Sequence, residues 1–166
     1  RYGDRPGIPG IPGGENRMKI EKYTPTYWED IQKVHDPARM QELTFAGLMD
    51  AFLPLTIAAE REDLFDYQLY VAMENENAVG FVAFTEEELA WLYVRPDYQR
   101  RGIGRALAEF ALDKMTEKEK SVEVLFGNIP ARSLYHSLGF TRETIIHGVM
   151  PGNESFPVTV WQMTKI

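Results

Sequence analysis

Three arginines flank two glycines in the stretch QRRGIGRAL, residues 99–107, although the whole chain carries a net charge of -7. Apolar residues at helical spacing follow, so the glycines lie where a helix is predicted to begin. A helix N-terminus exposes unpaired N–H groups with partial positive charge, and Gly102 and Gly104 let a ligand approach the backbone closely. The arginines that add full charges here are Arg100, Arg101 and Arg105. Unless it is an ordinary basic turn, the stretch therefore predicts an anion site suited to a phosphate or diphosphate.

Two common phosphate-binding motifs fit this stretch poorly. An NTP-binding P-loop needs Lys and then Ser or Thr after its last glycine, whereas Arg105 and Ala106 follow Gly104. A dinucleotide-binding loop needs Gly or Ala at position 107, which is Leu107. Neither ATP nor a nicotinamide dinucleotide is therefore the expected ligand.

The composition limits the classes of function. The chain has no cysteine, which excludes disulfides, zinc–thiolate sites and thiol nucleophiles, and its three scattered histidines predict no metal site. Its 25 acidic and 18 basic residues argue against nucleic-acid binding. The acidic balance is compatible with a cationic substrate, or serves solubility alone. No apolar run reaches the ~20 residues of a membrane span, and a cysteine-free chain without an export signal is expected in the cytoplasm.

The first 17 residues differ from the rest of the chain in composition. They are rich in glycine and proline and show no apolar periodicity, so we expect a linker or an added segment without a fold of its own. Residues 18–166 are expected to form a single domain, long enough to bury roughly 70% of the surface of its unfolded chain.

The hydrophobic pattern after Met18 alternates between strands and helices. It predicts the order β-α-α-β-β-β-α-β-α-β-β, with a sheet that is antiparallel at its start and parallel where a helix connects two strands. His35 is placed at the end of the first helix, and Pro54 is expected to kink or end the helical pattern of residues 39–65. The other helices are predicted at about 27–34, from the arginine–glycine stretch to about 118, and at 128–138.

Two motifs in this chain resemble signatures of a known family. VRPDYQRRGIGRAL, residues 94–107, resembles the acetyl-CoA-binding loop of the GCN5-related N-acetyltransferases, with Gln99, Gly102 and Gly104 at its fixed positions. NIPARSLYHSLGF, residues 128–140, resembles the second signature of that family. The resemblance extends over residues 18–166 and implies an α/β fold around a central mixed, mostly antiparallel sheet. This sheet would have about seven strands, splayed between the fourth and fifth, with helices on both faces.

The resemblance implies acetyl-CoA as co-substrate and no metal. The diphosphate would lie against backbone N–H groups of residues 100–105, the pantetheine arm would pair with the backbone of residues 92–94, and Asn128 would bond that arm while capping its helix. The residues implied in cofactor binding are Leu92, Tyr93, Val94, Gln99, Arg100, Arg101, Gly102, Ile103, Gly104, Arg105, Asn128 and Tyr135.

The resemblance also implies a reaction in which a primary amine attacks the acetyl thioester directly, in a ternary complex. The N–H of Val94 would donate to the thioester oxygen, and Tyr135 would give a proton to the departing thiolate unless it is only a core tyrosine. Glu88, at the start of the fourth strand, is the expected base, acting directly or through water, unless it merely ends an acidic turn. A non-catalytic acyl-CoA-binding sensor is the alternative function.

The acceptor amine is left open between a small molecule and a peptide or protein. In the family it is bounded by the first two helices and the last hairpin, here about residues 46–59 and 147–156. His147 is a candidate for this pocket, and the resemblance allows a homodimer through the last strands. The apolar residues expected to pack on the sheet rather than line the pocket are Phe45, Met49, Phe52 and Leu53.

Overall fold

The computed structural model of the protein describes residues 18–166, so the predicted linker, residues 1–17, lies outside the described residues. The strands are β1 (Lys19–Lys22), β2 (Gln68–Glu74), β3 (Asn77–Phe84), β4 (Leu89–Val94), β5 (Lys120–Leu125), β6 (Arg142–Met150) and β7 (Asn153–Lys165). The α-helices are α1 (Trp28–Ala46), α2 (Leu55–Arg61), α3 (Ile103–Lys114) and α4 (Ile129–Ser137). Within this range, no helix combines the length and apolar character that crossing a bilayer requires.

The strands form two antiparallel sheets that meet at one point. The strand order is β1-β2-β3-β4 in the first sheet and β5-β7-β6 in the second. Within the described part of the chain, β4 and β5 are joined by an isolated parallel bridge between Glu88 and Ser121 and then diverge. The predicted arrangement of seven strands, splayed between the fourth and the fifth, is confirmed.

Side chains of the first sheet alternate between two hydrophobic clusters, which places helices on both of its faces. Phe81 of β3 belongs to the cluster that contains Ile31 of α1, whereas the next residue, Val82, belongs to the cluster that contains Leu107 of α3. All four side chains are fully buried. The near-continuous apolar run of β3 therefore reflects a strand that is covered on both sides.

Helix α1 is longer than the sequence pattern predicts. It runs to Ala46 instead of ending near residue 34, and Pro37 lies inside it. Proline removes one helical hydrogen bond, but the buried stripe continues on both sides of it, from Ile31 to Leu43. Packing of this stripe outweighs the local defect, because most helical stability in proteins comes from an apolar face. His35, expected at a helix end, is therefore buried in the middle of α1.

The start of α2 and the end of α3 are each set by the backbone conformation of a single neighbouring residue. Pro54 precedes α2 as its N-cap, in agreement with the predicted break in the helical pattern. Helix α3 ends at Lys114 rather than near residue 118, because the backbone of Met115 is extended and its side chain is buried.

Gly127 lies in the turn between β5 and α4 and has a φ of 109°, which L-residues rarely adopt. A Cβ at this position would lie 2.7 Å from the backbone oxygen of Phe45. Gly127→Ala is therefore expected to lower the free energy of unfolding by about 2 kcal/mol or more, from backbone strain plus steric overlap. Denaturant unfolding measures this change.

Gly148→Ala is the matched control for that measurement. Gly148 lies on β6, where an added Cβ would have no other atom within 4 Å and the φ is not positive. Its replacement should change the free energy of unfolding by less than about 0.5 kcal/mol. Equal stability of the two variants would contradict the close approach of the Gly127 turn to α1.

Candidate active site

The edge of β4 that faces β5 carries backbone groups without strand partners. The N–H of Arg95 donates to the carbonyl oxygen of Val79 at 2.9 Å, which directs the backbone of Arg95 toward β3. Successive residues of a strand direct their N–H groups to opposite sides, so those of Val94 and Leu92 point into the gap between β4 and β5. An extended ligand can pair with such an edge as an added strand does.

The loop between β4 and α3 contains two residues with left-handed backbone. Arg100 has a φ of 65°, and Gly102, the N-cap of α3, has a φ of 85°. The side-chain amide of Gln99 donates to the carbonyl oxygen of Val94 at 3.0 Å and ties the loop to the end of β4. Gly104 has ordinary helical backbone, so of the two motif glycines only Gly102 uses the dihedral freedom that glycine provides. Gly104 instead leaves space beside the gap.

A cavity of about 590 Å³, called the loop cavity below, opens between β4, β5, the start of α3 and α4. Two residues predicted to bind the cofactor do not line it. The Arg101 guanidinium lies 4.6 Å from the ring centre of Tyr98, and Ile103 is buried in the core. The predicted residues that do line it are Leu92, Tyr93, Val94, Gln99, Arg100, Gly102, Gly104, Arg105, Asn128 and Tyr135.

Helix α4 presents Tyr135 to the loop cavity. The helix is capped by Asn128, whose side-chain oxygen accepts a hydrogen bond from the N–H of Ala131 at 3.3 Å. The Tyr135 ring packs edge-on against Phe140, with 5.6 Å between ring centres, and the residue is only 5% exposed. Burial, assisted by the charge of Glu42, raises the pKa of Tyr135, so its hydroxyl is protonated at neutral pH. This hydroxyl has no hydrogen-bond partner among the described residues.

A second cavity, called the acidic cavity below, has a volume of about 500 Å³. It lies between α1, α2, β4, β5 and the β6–β7 turn, close to the acceptor region predicted from the sequence. Its carboxylates are Glu42, Glu62, Glu88, Glu123 and Glu154. The residues that line both cavities, and so form their junction, are Glu42, Leu89, Ala90, Tyr93 and Glu123.

Glu88 and Glu123 form a pair of carboxylates at the gap. Burial raises the pKa of Glu88, and the negative charges of Glu123 and Glu87 raise it further. Glu88 lines the acidic cavity, and Glu123 lines both cavities. Glu123 was not predicted from the sequence, because its alternation within β5 is typical of a solvent-facing residue. The available signal was a carboxylate on β5, the strand expected to border the splay.

The wall between the cavities is fixed by a hydrogen-bonded network. The Tyr93 hydroxyl and an Arg39 guanidinium nitrogen both donate to Oε1 of Glu42, each at 2.7 Å. At the far side of the acidic cavity, burial raises the pKa of Glu62 to about 7, opposed by Arg39 and assisted by Glu154 and Glu42. The acidic cavity therefore has one wall held in place by hydrogen bonds to Glu42. It also contains the half-buried carboxylate of Glu62, which has no hydrogen-bond partner among the described residues.

Several residues near the acceptor region differ from the sequence expectation. Phe45 and Met49 are 47% and 52% exposed instead of packed, because Leu43 of α1 and Ala51 of the turn that follows take the buried positions. Leu53 packs against the cluster of α1 and the first sheet, as expected, and it also lines the acidic cavity.

His147 is not brought to the acidic cavity. Its side chain is exposed, with Nδ1 3.0 Å from Oγ1 of Thr159. Its neighbours Ile146 and Gly148 line the cavity instead. Adjacent residues of a strand point to opposite faces, which accounts for the difference.

Comparison with known sequences gives matches in the same region. A family model described as an acetyltransferase (GNAT) domain matches residues 65–142. The ribosomal protein bS18-alanine N-acetyltransferase of Escherichia coli K12 is 39% identical over 77 residues, covering 45% of this chain and 52% of the relative. This chain thus spans about half the length of that relative. The Salmonella typhimurium enzyme of the same name is 30% identical over 131 residues, covering 76% of this chain and 80% of the relative.

Solved structures share the fold. The PaiA N-acetyltransferase of Thermoplasma acidophilum in complex with coenzyme A superimposes with a TM-score of 0.60 at 19% identity, covering 89% of this chain and 98% of that one. The structural likeness supports the architecture, and the Salmonella sequence match extends over most of both chains. From the motifs, the splayed sheet and these matches, the chain belongs to the GCN5-related N-acetyltransferase family.

Proposed function

We propose that this chain transfers an acetyl group from acetyl-CoA to a primary amine. The observation that carries the proposal is the gap between β4 and β5, where N–H groups of Leu92 and Val94 point toward a cavity that Tyr135 also lines. A thioester in this gap would meet a backbone donor, a protonated hydroxyl and an adjoining acidic cavity. Membership of the family supports the same activity, and the cytoplasmic location expected from the sequence is part of the proposal.

The residues around the loop cavity fit acetyl-CoA. The first turn of α3 offers unpaired amides to a diphosphate, and Gly104 leaves room for it to approach, since the nearest atom to a Cβ there is 3.8 Å away. Arg105 lines the cavity while donating to Ser137. Arg100 also lines it and has no ion-pair or hydrogen-bond partner in the described part of the chain, so its charge is available to a phosphate.

When bound, acetyl-CoA supplies the thioester that the amine attacks. The N–H of Val94 would donate to the thioester oxygen as negative charge develops there. Tyr135 holds its proton because burial raises its pKa, and it would pass that proton to the leaving sulfur. Both groups lie on regular elements of the fold, which limits their freedom to move out of position.

The Glu88–Glu123 pair would accept the proton that the amine loses. Glu123 stands at the junction of the two cavities, and Glu88 follows on the acidic side. Because burial and the negative charge of Glu123 raise the pKa of Glu88, Glu88 binds a proton more readily than an isolated glutamate. This extends the base role predicted for Glu88 to two residues.

The acceptor is proposed to be a primary amine of a small molecule or of a protein. The matched relatives are named for the alanine of ribosomal protein bS18, which supports a protein amine. The amine would enter through the acidic cavity and meet the thioester at the shared junction.

Acetyl-CoA mixed with an amine panel is expected to release free thiol, measured with a thiol-reactive dye. Tyr135→Phe keeps the buried ring but removes the proton donor, so turnover should fall roughly 10²-fold with coenzyme A affinity nearly unchanged. Binding of coenzyme A without thiol release from any amine would favour a sensor over an enzyme.

Gly104→Val is expected to abolish coenzyme A binding, because the added side chain fills the space beside the amides of α3. Isothermal titration calorimetry measures the affinity. Gly104→Ala is the smaller control and should weaken binding less, with both variants unfolding near the wild-type temperature. Wild-type affinity in the valine variant would place the diphosphate elsewhere.

Glu88→Gln and Glu123→Gln are each expected to lower kcat/KM roughly 10²-fold, since either removes part of the proton-accepting pair. In Glu123→Gln the remaining carboxylate loses a neighbouring charge that raises its pKa, so the acidic limb of the pH profile should move to lower pH. Steady-state kinetics with one acceptor across the pH range provides both readouts.

Glu86→Gln is the control for the carboxylate pair, because Glu86 is exposed on the same turn and lines neither cavity. It should leave the rate and the pH profile unchanged. Glutamine variants of the pair that behave like this control would remove the pair from the mechanism.

A further inference from the structure

His35 presents a bare ring nitrogen to the acidic cavity. Its side chain is 2% exposed, and its Nδ1 lies 2.9 Å from Oδ1 of Asp36, which also accepts a hydrogen bond from the N–H of Leu55. Burial lowers the pKa of His35, so the ring is neutral and carries its proton on Nδ1, facing the carboxylate. Nε2 is then a hydrogen-bond acceptor.

Nothing in the described part of the chain bonds to this nitrogen. Every side-chain nitrogen or oxygen that is fully shielded from solvent within residues 18–166 has a hydrogen-bond partner. The unpartnered Nε2 of His35 is therefore not shielded, and His35 lines the acidic cavity. The atom is therefore accessible from that cavity, where it can accept a hydrogen bond from an N–H or O–H group of a ligand.

Most of the other free polar groups of the acidic cavity are carboxylate acceptors. The Tyr67 hydroxyl and the Trp91 indole N–H also line it without a hydrogen-bond partner among residues 18–166, and they can donate. Side-chain hydrogen bonds are absent, among the described residues, for the carboxylates of Glu62, Glu88 and Glu123. The cavity's two arginines are engaged with the protein itself: Arg39 with Glu42, and Arg61 with the carbonyl oxygen of Gly152 at 2.9 Å. A cavity of about 500 Å³ with five carboxylates, two arginines and a bare imidazole nitrogen selects an occupant rich in donors and positive charge.

The carboxylates lie on two different walls. Glu88 and Glu123 stand at β4 and β5, beside the gap where acetyl transfer is proposed. Glu62 and Glu154 stand at the end of α2 and on the β6–β7 hairpin, and a Cβ added at Gly152 would lie 3.0 Å from Cγ of Glu62. The hairpin therefore closes against α2 and forms a second acidic wall, separate in the fold from the wall where the amine would react.

We infer that the acceptor carries a second cationic nitrogen besides the amine that is acetylated. The reacting amine meets Glu88 and Glu123, while the second nitrogen is held by the free acceptors of the remaining walls, Glu62 and His35. This inference rests on the proposed acetyl transfer and names its substrate class. The second nitrogen can belong to a basic side chain near a peptide amine, or to a free diamine.

The test compares acceptors that differ in that nitrogen alone. One arm uses 1,4-diaminobutane against 1-aminobutane, and the other uses the peptides Ala-Lys-Ala and Ala-norleucine-Ala. In at least one arm, kcat/KM should be about tenfold higher for the acceptor with two cations, and the arm that shows it identifies the source. Equal kcat/KM within both pairs would overturn the inference while leaving acetyl transfer intact.

Calorimetry reads the same preference without turnover. Each acceptor is titrated into the protein saturated with coenzyme A, so a failure of catalysis does not hide the result. Tighter binding of the dication supports the inference even if no thiol is released, and equal or absent binding in both pairs contradicts it.

Variants locate the second nitrogen. Glu62→Gln should reduce the preference to about twofold or less, whereas Glu60→Gln, an exposed residue on the same helix outside the cavity, should retain it. His35→Phe keeps an aromatic ring against Tyr93, whose ring centre is 5.1 Å away, and should also reduce the preference. A purely structural role for His35 would lower kcat/KM equally for both acceptors. Full preference in Glu62→Gln and in a folded His35→Phe would overturn the assignment.

Discussion

The unpaired edge of β4 is the constraint on which the rest of this molecule depends. Backbone N–H groups removed from water without partners are costly, so neighbouring strands normally pair along their full length. Here β5 leaves β4 after the bridge between Glu88 and Ser121, and the N–H groups of Leu92 and Val94 are directed into the space that remains. The basic loop, the first turn of α3 and Tyr135 all border that space. The groups that we propose for the chemistry lie around one space because β5 diverges from β4.

The same strand lines both cavities. Along β4, the N–H groups of alternate residues point into the gap. The Tyr93 ring instead projects from a face of the sheet, where it packs against His35 and its hydroxyl donates to Glu42. Tyr93 of β4 and Glu42 of α1 line both cavities, so in the proposed reaction this hydrogen-bonded pair would border both the thioester and the amine. The acidic cavity has five carboxylates and two arginines, whereas the loop cavity has Arg100 and Arg105 at the loop and Glu42 and Glu123 at the shared junction. The acidic cavity therefore suits a cation, and the arginine end of the loop cavity suits an anion.

The loop and the order of helices and strands along the chain could be predicted well from the sequence, because both depend on local chemistry, whereas the splay between β4 and β5 was expected only from the family resemblance. Glycines and arginines before an apolar helix predict the loop, and alternating apolar residues predict strands, each from a few neighbouring positions. Prediction failed where distant packing decides the outcome. The local pattern ends α1 near residue 34, yet the buried stripe carries the helix past Pro37, and His35 was misplaced for that reason. Glu123 has the pattern of an exposed strand residue, and only the divergence of β5 turns that face into a cavity wall.

The most direct measurement is a crystal structure of the protein with coenzyme A. We expect the pantetheine arm between β4 and β5, accepting hydrogen bonds from the amides of Leu92 and Val94, with the diphosphate at the first turn of α3. Strands β4 and β5 hydrogen-bonded along their whole length, or coenzyme A bound at a site that leaves those amides untouched, would contradict the proposed role of the open strand edge.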